Sequence, residues 1–192
     1  MRILLLPFFR AKKQHINVYK NMYINIFPKV KLDIIDYNIF DGITYTGRKN
    51  IMNGKFADKI SYKDYDMIHT FSGGCLVLYS LMQMKNKISY NKVIFDSGPF
   101  FPTPEQASNY ICNIYGINNQ NINNILINNI ALFWKLEGIN WKKGLIDYNK
   151  WLYSINNSLC LHSINDTLLD YKEINKWSLK TIVRRSGWLY LY

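Results

Sequence analysis

Several features that identify common protein classes are scarce in this sequence. Three cysteines, Cys75, Cys112 and Cys160, are spread over 192 residues without a C-x-x-C pair, so neither a disulfide framework nor a zinc site of the usual spacing is indicated. The glycines form neither G-x-G-x-x-G nor G-x-x-x-x-G-K-[ST], which argues against a nucleotide cofactor. We therefore expect no cofactor and no metal.

Long apolar stretches are also missing. No segment reaches the ~18 uninterrupted apolar residues of a transmembrane helix. The start of the chain, residues 1–9, lacks the apolar length and the small-residue cleavage site of a signal peptide. No linker rich in proline, glycine or serine divides the sequence. We expect one domain over residues 1–192, in an intracellular protein that is soluble or attached peripherally to a membrane.

Acidic residues are the minority charge. Asp and Glu number 13 against 24 Lys and Arg, which gives a formal net charge of +11 and an isoelectric point near 9.5. The basic residues are mostly lysines scattered singly or in pairs, and no specific nucleic-acid motif accompanies them. The surplus indicates a solvated surface in a chain rich in Asn, Ile, Tyr and Lys, with a functional basic patch as the less favoured alternative.

Short apolar runs alternate with helical patterns along most of the chain. Strand-like runs occur at residues 2–8, 31–39, 64–71, 92–96 and 158–163. Helical spacing follows at residues 13–27, 75–84 and from Asp166 to about Trp177, and a loop with Gly42, Gly47 and Gly54 follows the second run. Near-continuous apolar strands separated by helices predict an α/β fold with a mostly parallel sheet and helices on both faces.

One region departs from this alternation. Residues 105–151 contain no strand pattern, and Ile122, Ile125, Ile130 and Phe133 form a helical stripe within them. We interpret residues 105–151 as a helical cap insertion over the carboxyl edge of the sheet. A disordered insert is the alternative, because residues 118–129 are rich in asparagine.

The clearest chemical signal is a strand that ends in Ser72-Gly73-Gly74 and continues into a helix. This arrangement resembles a nucleophile elbow, in which a serine on a tight turn projects its hydroxyl above the sheet. Ser72 would be the nucleophile, with the Gly73 N–H and a backbone N–H near Phe8 or Phe9 as the oxyanion hole. A plain strand-to-helix turn explains the same letters, and the first glycine of G-x-S-x-G is replaced by Thr70.

Three other polar residues are candidates near this turn. Asp166 follows a later strand, where such hydrolases carry the triad acid, and it is also suited to cap the next helix. His69 precedes Ser72 by three residues and is expected to pack or form a hydrogen bond beneath the elbow. Asp96, at the end of another strand, is expected to make a structural hydrogen bond, with catalysis as the alternative.

Five stretches in order resemble one protein family. They are residues 4–19 with Tyr23, His69-Thr-Phe-Ser-Gly-Gly74, Ile94-Phe-Asp-Ser-Gly-Pro99, Leu161-His-Ser-Ile-Asn-Asp166, and the helix to Trp177. Together they are similar to the α/β-hydrolase family that contains eukaryotic transmembrane protein 53. The resemblance implies an α/β-hydrolase-like fold and a serine ester or thioester hydrolase, with Ser72 as nucleophile and Asp166 as the acid that orients a histidine.

The sequence departs from the family pattern at that histidine. The resemblance places it after one more strand, but no histidine follows Asp166. We therefore expect a truncated member that has lost the histidine with the last strand and helix, which would expose a sheet edge. Two functions stay open: a hydrolase with a small-molecule ester or acyl substrate, and an inactive hydrolase-like protein that binds a protein or a membrane surface.

Overall fold

The computed structural model describes residues 1–9, 11–60, 64–84, 88–99, 101–163 and 180–184. Its centre is a sheet of six parallel strands in the order β2-β1-β4-β6-β7-β8. These strands are β1 (Arg2–Leu6), β2 (Lys31–Ile34), β4 (Met67–Phe71), β6 (Val93–Asp96), β7 (Ser158–Ser163) and β8 (Lys180–Arg184). A separate parallel pair joins β3 (Asp64–Tyr65) to β5 (Ser89–Tyr90).

Alternating side chains of the strands form two cores. Leu4 and Leu6 of β1 belong to the larger core, whereas Ile3 and Leu5 belong to the smaller one on the other face. Both faces of β1 are fully buried, as expected for a central parallel strand covered by helices. The predicted α/β architecture with a parallel sheet is confirmed.

Helices cover the two faces. Their bounds are α1 (Lys13–Ile26), α2 (Ile39–Ile43), α3 (Tyr45–Met52), α4 (Ala57–Ile60), α5 (Gly74–Met82), α6 (Pro104–Tyr115), α7 (Gln120–Leu136) and α8 (Trp141–Tyr153). Tyr23 of α1 packs with the smaller core. Helix α5 and the buried residues Tyr148 and Leu152 of α8 contribute to the larger core on the opposite face.

The expected loop with Gly42, Gly47 and Gly54 is wrong in part, since α2, α3 and α4 lie there. Asn38 caps α2 by accepting a hydrogen bond from the Asp41 N–H, and Thr44 caps α3 through the Gly47 N–H. Position 47 of α3 requires a glycine, because a Cβ there would collide with the backbone of residues 40–41.

Two expected strands are shorter than the apolar runs that predicted them. The run 31–39 forms a strand only to Ile34, since α2 begins at Ile39. The run 64–71 is divided at Asp66 into β3 and β4, and the Asp66 carboxylate accepts a hydrogen bond from the Arg2 N–H at 2.7 Å. Alternation of apolar residues could not show this division, because the strands on either side of Asp66 pair with different partners.

The region between β6 and β7 contains α6, α7 and α8, and the helical interpretation of most of residues 105–151 is confirmed. Thr103 and Gln106 form a reciprocal capping box at the start of α6. Gly116 ends α6 in the left-handed conformation with φ +65°. The asparagine-rich stretch belongs mostly to α7, so the alternative of a disordered insert is wrong.

The expectation that the last strand is lost is also wrong. Strand β8 pairs in parallel with β7 from Leu159 opposite Lys180 to Ser163 opposite Arg184. Strand β8 therefore covers the edge that β7 would otherwise expose. The predicted helix that ends near Trp177 lies outside the described residues.

Candidate active site

Ser72 lies at the carboxyl end of β4, directly before α5 begins at Gly74. Its φ is +48°, the left-handed region that residues other than glycine rarely adopt. Its N–H donates to the Asp96 carbonyl at 2.8 Å, which ties the turn to the end of β6. A strained serine on a strand-to-helix turn is the backbone geometry that a nucleophile elbow requires.

The two glycines after Ser72 are required by close packing. A Cβ on Gly74 would lie 3.0 Å from the Pro7 carbonyl oxygen and closer still to that of Leu6. A Cβ on Gly73 would overlap the aromatic ring of Phe9. The elbow therefore sits tightly against the end of β1, and only residues without side chains fit at these positions.

The predicted oxyanion donors lie on chain segments beside Ser72. Gly73 and Gly74 open α5, so their N–H groups have no acceptor within that helix. Leu6 of β1 is paired with Thr70 of β4. Phe8 comes two residues after Leu6, and Ser72 comes two residues after Thr70. The structure thus puts Phe8 and Gly73, the two predicted oxyanion donors, on chain segments that flank the serine.

Strand order supports the same location. The chain leaves β1 toward β2 on one side and returns to β4 on the other, so β1 and β4 form the point where the direction of winding reverses. In open parallel sheets, the crevice beyond the carboxyl ends of such strands is where ligands bind. Both Phe8 and Ser72 lie at that crevice.

His69 belongs to a buried cluster on the α1 side of the sheet. Its Nδ1 is 2.7 Å from the Tyr23 hydroxyl oxygen, and its Nε2 is 3.7 Å from an Asp96 carboxylate oxygen. Its ring stacks against Phe71 with centroids 4.0 Å apart. Burial, followed by the nearby Asp96 carboxylate and Tyr19, raises the pKa of Tyr23, so this hydroxyl stays protonated.

His69 and Asp96 are both buried in this cluster, as side chains with a structural role usually are. Met67, His69 and Phe71 alternate along β4 onto the face covered by α1, whereas α5 leaves the elbow on the other face. His69 thus lies beneath the elbow, where the sequence placed it. The sequence could not identify Tyr23 as the hydrogen-bond partner of His69, because the two residues are 46 positions apart in the chain.

Ser97 is a site residue that the sequence analysis did not select. It follows β6, and because Phe71 pairs with Asp96, Ser97 lies beside Ser72 in the sheet. Its φ is +52°, its side chain is buried, and its hydroxyl has no hydrogen-bond partner among the described residues. The available signal was its position in Asp96-Ser97-Gly98-Pro99, a turn after a buried strand.

His162 occupies the next strand, β7. It is 1% exposed, and neither ring nitrogen has a hydrogen-bond partner within the described part of the chain. The Ser97 N–H donates to the carbonyl of the adjacent Leu161, so Ser97 links the end of β7 to the strand beside the elbow. Asp166, the predicted acid, lies outside the described residues.

Neither a metal centre nor a membrane span emerges from the residues that the structure places. Their His, Cys, Asp and Glu side chains include no group of three that could hold a metal ion. None of the helices in these same residues combines the length and the apolar character needed to cross a membrane.

Solved structures resemble the whole fold. An esterase of Pyrococcus furiosus, PF2001, superposes with a TM-score of 0.53 at 11% identity, covering 96% of this chain and 72% of its own. The ydeN gene product of B. subtilis gives 0.53 and 11%, with 97% and 86% covered. MGS-M2, an alpha/beta hydrolase enzyme from a deep-sea metagenome library, gives 0.50 and 13%, with 95% and 80% covered.

These similarities show the fold. The chain has the α/β-hydrolase fold, in agreement with its strand order and with the position of Ser72 after β4. No family model matches the sequence, and no curated protein matches it.

Proposed function

We propose that the protein is a serine hydrolase that cleaves an ester or thioester, with Ser72 as its nucleophile. The observation that carries the proposal is the φ of +48° at Ser72, on a tight turn between β4 and α5 of an α/β-hydrolase fold. This turn leaves the serine partly exposed among buried neighbours, as a nucleophile must be. The esterase activity in the name of PF2001 belongs to that protein and is consistent with the proposal.

The proposed reaction proceeds by acyl transfer. The Ser72 Oγ attacks the acyl carbon and loses its proton to a base, and the bond to the alcohol or thiol leaving group breaks as that group takes up the proton. Water then releases the acid and restores the serine. The N–H groups of Gly73 and Phe8 would stabilise the oxyanion, and Asp166 would orient the histidine that acts as base.

A non-catalytic binding protein is the second candidate. One observation favours it: two of the three histidines, His15 and His69, are engaged on the α1 side. His15 accepts a hydrogen bond from the Lys12 N–H at 3.1 Å, and His69 bonds with Tyr23. This leaves His162 as the remaining imidazole, and a serine without a base is a weak nucleophile.

Labelling with a fluorophosphonate probe distinguishes the two candidates. We expect the purified protein to be labelled and Ser72→Ala to lose the label. Ser154→Ala is the matched control, because Ser154 is exposed and its hydroxyl donates to the Trp151 carbonyl. A folded wild-type protein that takes up no label, or label that persists in Ser72→Ala, would overturn the hydrolase proposal.

The base can be identified in the same assay. We expect His162→Gln to slow labelling by several orders of magnitude if His162 accepts the Ser72 proton, since loss of one triad member has that cost. His15→Gln tests the half-buried imidazole of α1 beside Phe8, and His69→Gln tests the cluster beneath the elbow. Equal labelling rates in all three variants would show that none of these imidazoles activates Ser72.

Membership of the family that contains eukaryotic transmembrane protein 53 is proposed on the five matching stretches of sequence. Helices α6–α8 are proposed to act as the cap of a single domain over residues 1–192, since they connect β6 to β7. We also propose an intracellular location, either soluble or peripheral to a membrane. The proposed substrate is a small ester or acyl compound.

A further inference from the structure

Ser72, Ser97 and His162 lie in one row across three neighbouring strands. The Ser72 N–H donates to the Asp96 carbonyl at 2.8 Å. The Ser97 N–H donates to the Leu161 carbonyl at 2.9 Å. Both bonds continue the regular parallel pairing of β4 with β6 and of β6 with β7. Ser97 is therefore next to Ser72 on one side and next to His162 on the other.

Ser97 repeats the backbone conformation of Ser72. Its φ is +52° and that of Ser72 is +48°, so β4 and β6 are followed by left-handed residues at the same level of the sheet. Paired residues with the same conformation direct their Cβ atoms alike, so the two side chains leave the sheet in the same direction. The elbow thus has a second serine at its flank, one strand nearer to β7.

Serine is a costly residue at position 97. Glycine adopts a φ of +52° without the steric cost that a Cβ brings. The Ser97 hydroxyl is buried and has no hydrogen-bond partner within the described part of the chain to offset this cost. Strained residues and buried polar groups without a partner are found mainly at functional sites. Stability therefore does not account for the hydroxyl at this position.

His162 has the second unsatisfied side chain of the row. Both of its ring nitrogens are buried without a hydrogen-bond partner among the described residues. Cys160, two residues earlier on the same face of β7, belongs to the larger core. A Cβ on Gly98, which follows Ser97, would lie 3.8 Å from Cys75 of the same core. The imidazole and the turn after Ser97 are therefore on one side of the sheet.

We propose that the Ser97 hydroxyl relays the Ser72 proton to His162, an inference that rests on the proposed function. Parallel strands lie about 4.8 Å apart, so roughly 10 Å separates the Cα atoms of Ser72 and His162. Ser97 divides this distance into two steps of one strand spacing, and a hydroxyl can accept one hydrogen bond while it donates another. Rotation about the side-chain bonds of Ser97 and His162 closes the two hydrogen bonds when substrate binds, as catalytic contacts commonly tighten then.

The proton transfers balance in both halves of the reaction. As the Ser72 Oγ bonds to the acyl carbon, its proton passes to the Ser97 Oγ, and the Ser97 proton passes to the unprotonated nitrogen of His162. The reverse transfer gives a proton to the leaving alcohol or thiol as its bond to the acyl carbon breaks. Water then loses a proton by the same route while its oxygen bonds to the acyl carbon, and the Ser72 Oγ regains the proton as the acid is released.

The Ser97→Gly variant distinguishes a proton relay from a structural role. Glycine suits the φ of +52°, so we expect a folded protein by circular dichroism. We expect the rate of fluorophosphonate labelling to fall by roughly 10²- to 10⁴-fold, the range for a positioned acid or base. Ser97→Ala should fall equally, and Ser97→Cys should retain part of the rate because a thiol can also accept and donate a proton. Ser154→Gly, at an exposed serine, is the matched control.

Coupling between Ser97 and His162 is a readout that a structural role would not change. Ser97→Gly is expected to cause little further loss in a His162→Gln background, because the two residues serve one proton path. We expect the fall in labelling at acidic pH, where imidazole is protonated, to disappear in both single variants. Costs that multiply in the double variant, or an acidic fall that persists in Ser97→Gly, would overturn the relay.

Failure of the relay differs in outcome from failure of the proposed function. If the wild type is labelled at Ser72 and both Ser97→Gly and Ser97→Ala match its rate, the relay is refuted and the hydrolase proposal stands. If only His162→Gln is slow, the imidazole reaches Ser72 directly and the relay is again refuted. If the folded wild type takes up no label, the hydrolase proposal fails and the relay fails with it.

Discussion

Replacing Gly74 with alanine is expected to destabilise the protein by about 2 to 3 kcal/mol. The new methyl group would lie 2.9 Å from the Tyr37 hydroxyl oxygen, 3.0 Å from the Pro7 carbonyl oxygen and closer still to that of Leu6. Two of these three atoms belong to the backbone at the end of β1, which is held between β2 and β4 and cannot move without disturbing both ladders. Overpacking therefore outweighs the few tenths to 1 kcal/mol that alanine gains by restricting the unfolded chain.

Gly73→Ala would introduce a contact with a side chain instead of a contact with the backbone. Its methyl group would overlap the ring of Phe9, a side chain that can rotate or be removed, rather than the backbone. We expect Phe9→Ala to relieve the cost of Gly73→Ala, with a coupling energy of about 1 kcal/mol or more, and to leave the cost of Gly74→Ala nearly unchanged. The two neighbouring glycines are thus predicted to differ in which second change rescues them.

Thermal and urea unfolding of the three single variants and the two double variants measures both predictions. For a chain of this length, a loss of 2 to 3 kcal/mol lowers Tm by roughly 4 to 12 °C. A Gly74→Ala protein that melts at or above the wild-type Tm would refute the packing of α5 against β1. So would rescue of Gly74→Ala by Phe9→Ala, because the backbone contact would then not be the cause.

Two further predictions concern buried groups. Tyr23→Phe is expected to lower the free energy of unfolding by about 1 to 2 kcal/mol, because it removes the 2.7 Å hydrogen bond to His69. Urea unfolding measures the loss, with Tyr115→Phe as the control because that side chain is 71% exposed. Equal stabilities of the two variants would contradict the hydrogen bond. Burial and the neighbouring Cys75 raise the pKa of Cys160 from 9.0 to about 12, so the unfolded chain releases this proton first and the free energy of unfolding falls as pH rises across that range. Urea unfolding should show a smaller fall for Cys160→Ala, and an identical pH dependence in that variant would argue against the shift.

The sequence predicted the sheet well where strands are fully buried. Residues 158–163 form β7 with the expected bounds, and β1 and β6 lie within the expected runs, because long apolar segments fit only a covered parallel sheet. The loop prediction was wrong where α2, α3 and α4 form, and the Asn38 and Thr44 caps and close contacts of glycines account for α2 and α3. The treatment of β8 as lost was also wrong, since Lys180–Arg184 is a short run whose partner, β7, is not evident locally.

Some candidate site residues could likewise be recognised from the local sequence, and others could not. Ser72 and Gly73 could be selected because a strand, a serine and two glycines are adjacent in the chain, and the positive φ at Ser72 is the geometry that this order predicts. Ser97 could not, since its position beside Ser72 depends on the pairing of β4 with β6, which are distant in sequence. Asp166 remains a prediction.

Composition and pattern alone determined the fold class and the candidate nucleophile, because hydrophobic periodicity and turn residues act over a few neighbouring positions. Tertiary structure decided what surrounds that serine. It joined His69 to Tyr23 of α1 and to Asp96 of β6, packed the Phe9 ring against Gly42 and Gly73, and placed Arg48 of α3 over Phe101. Such contacts depend on strand order and helix packing, which bring together residues that no local pattern relates.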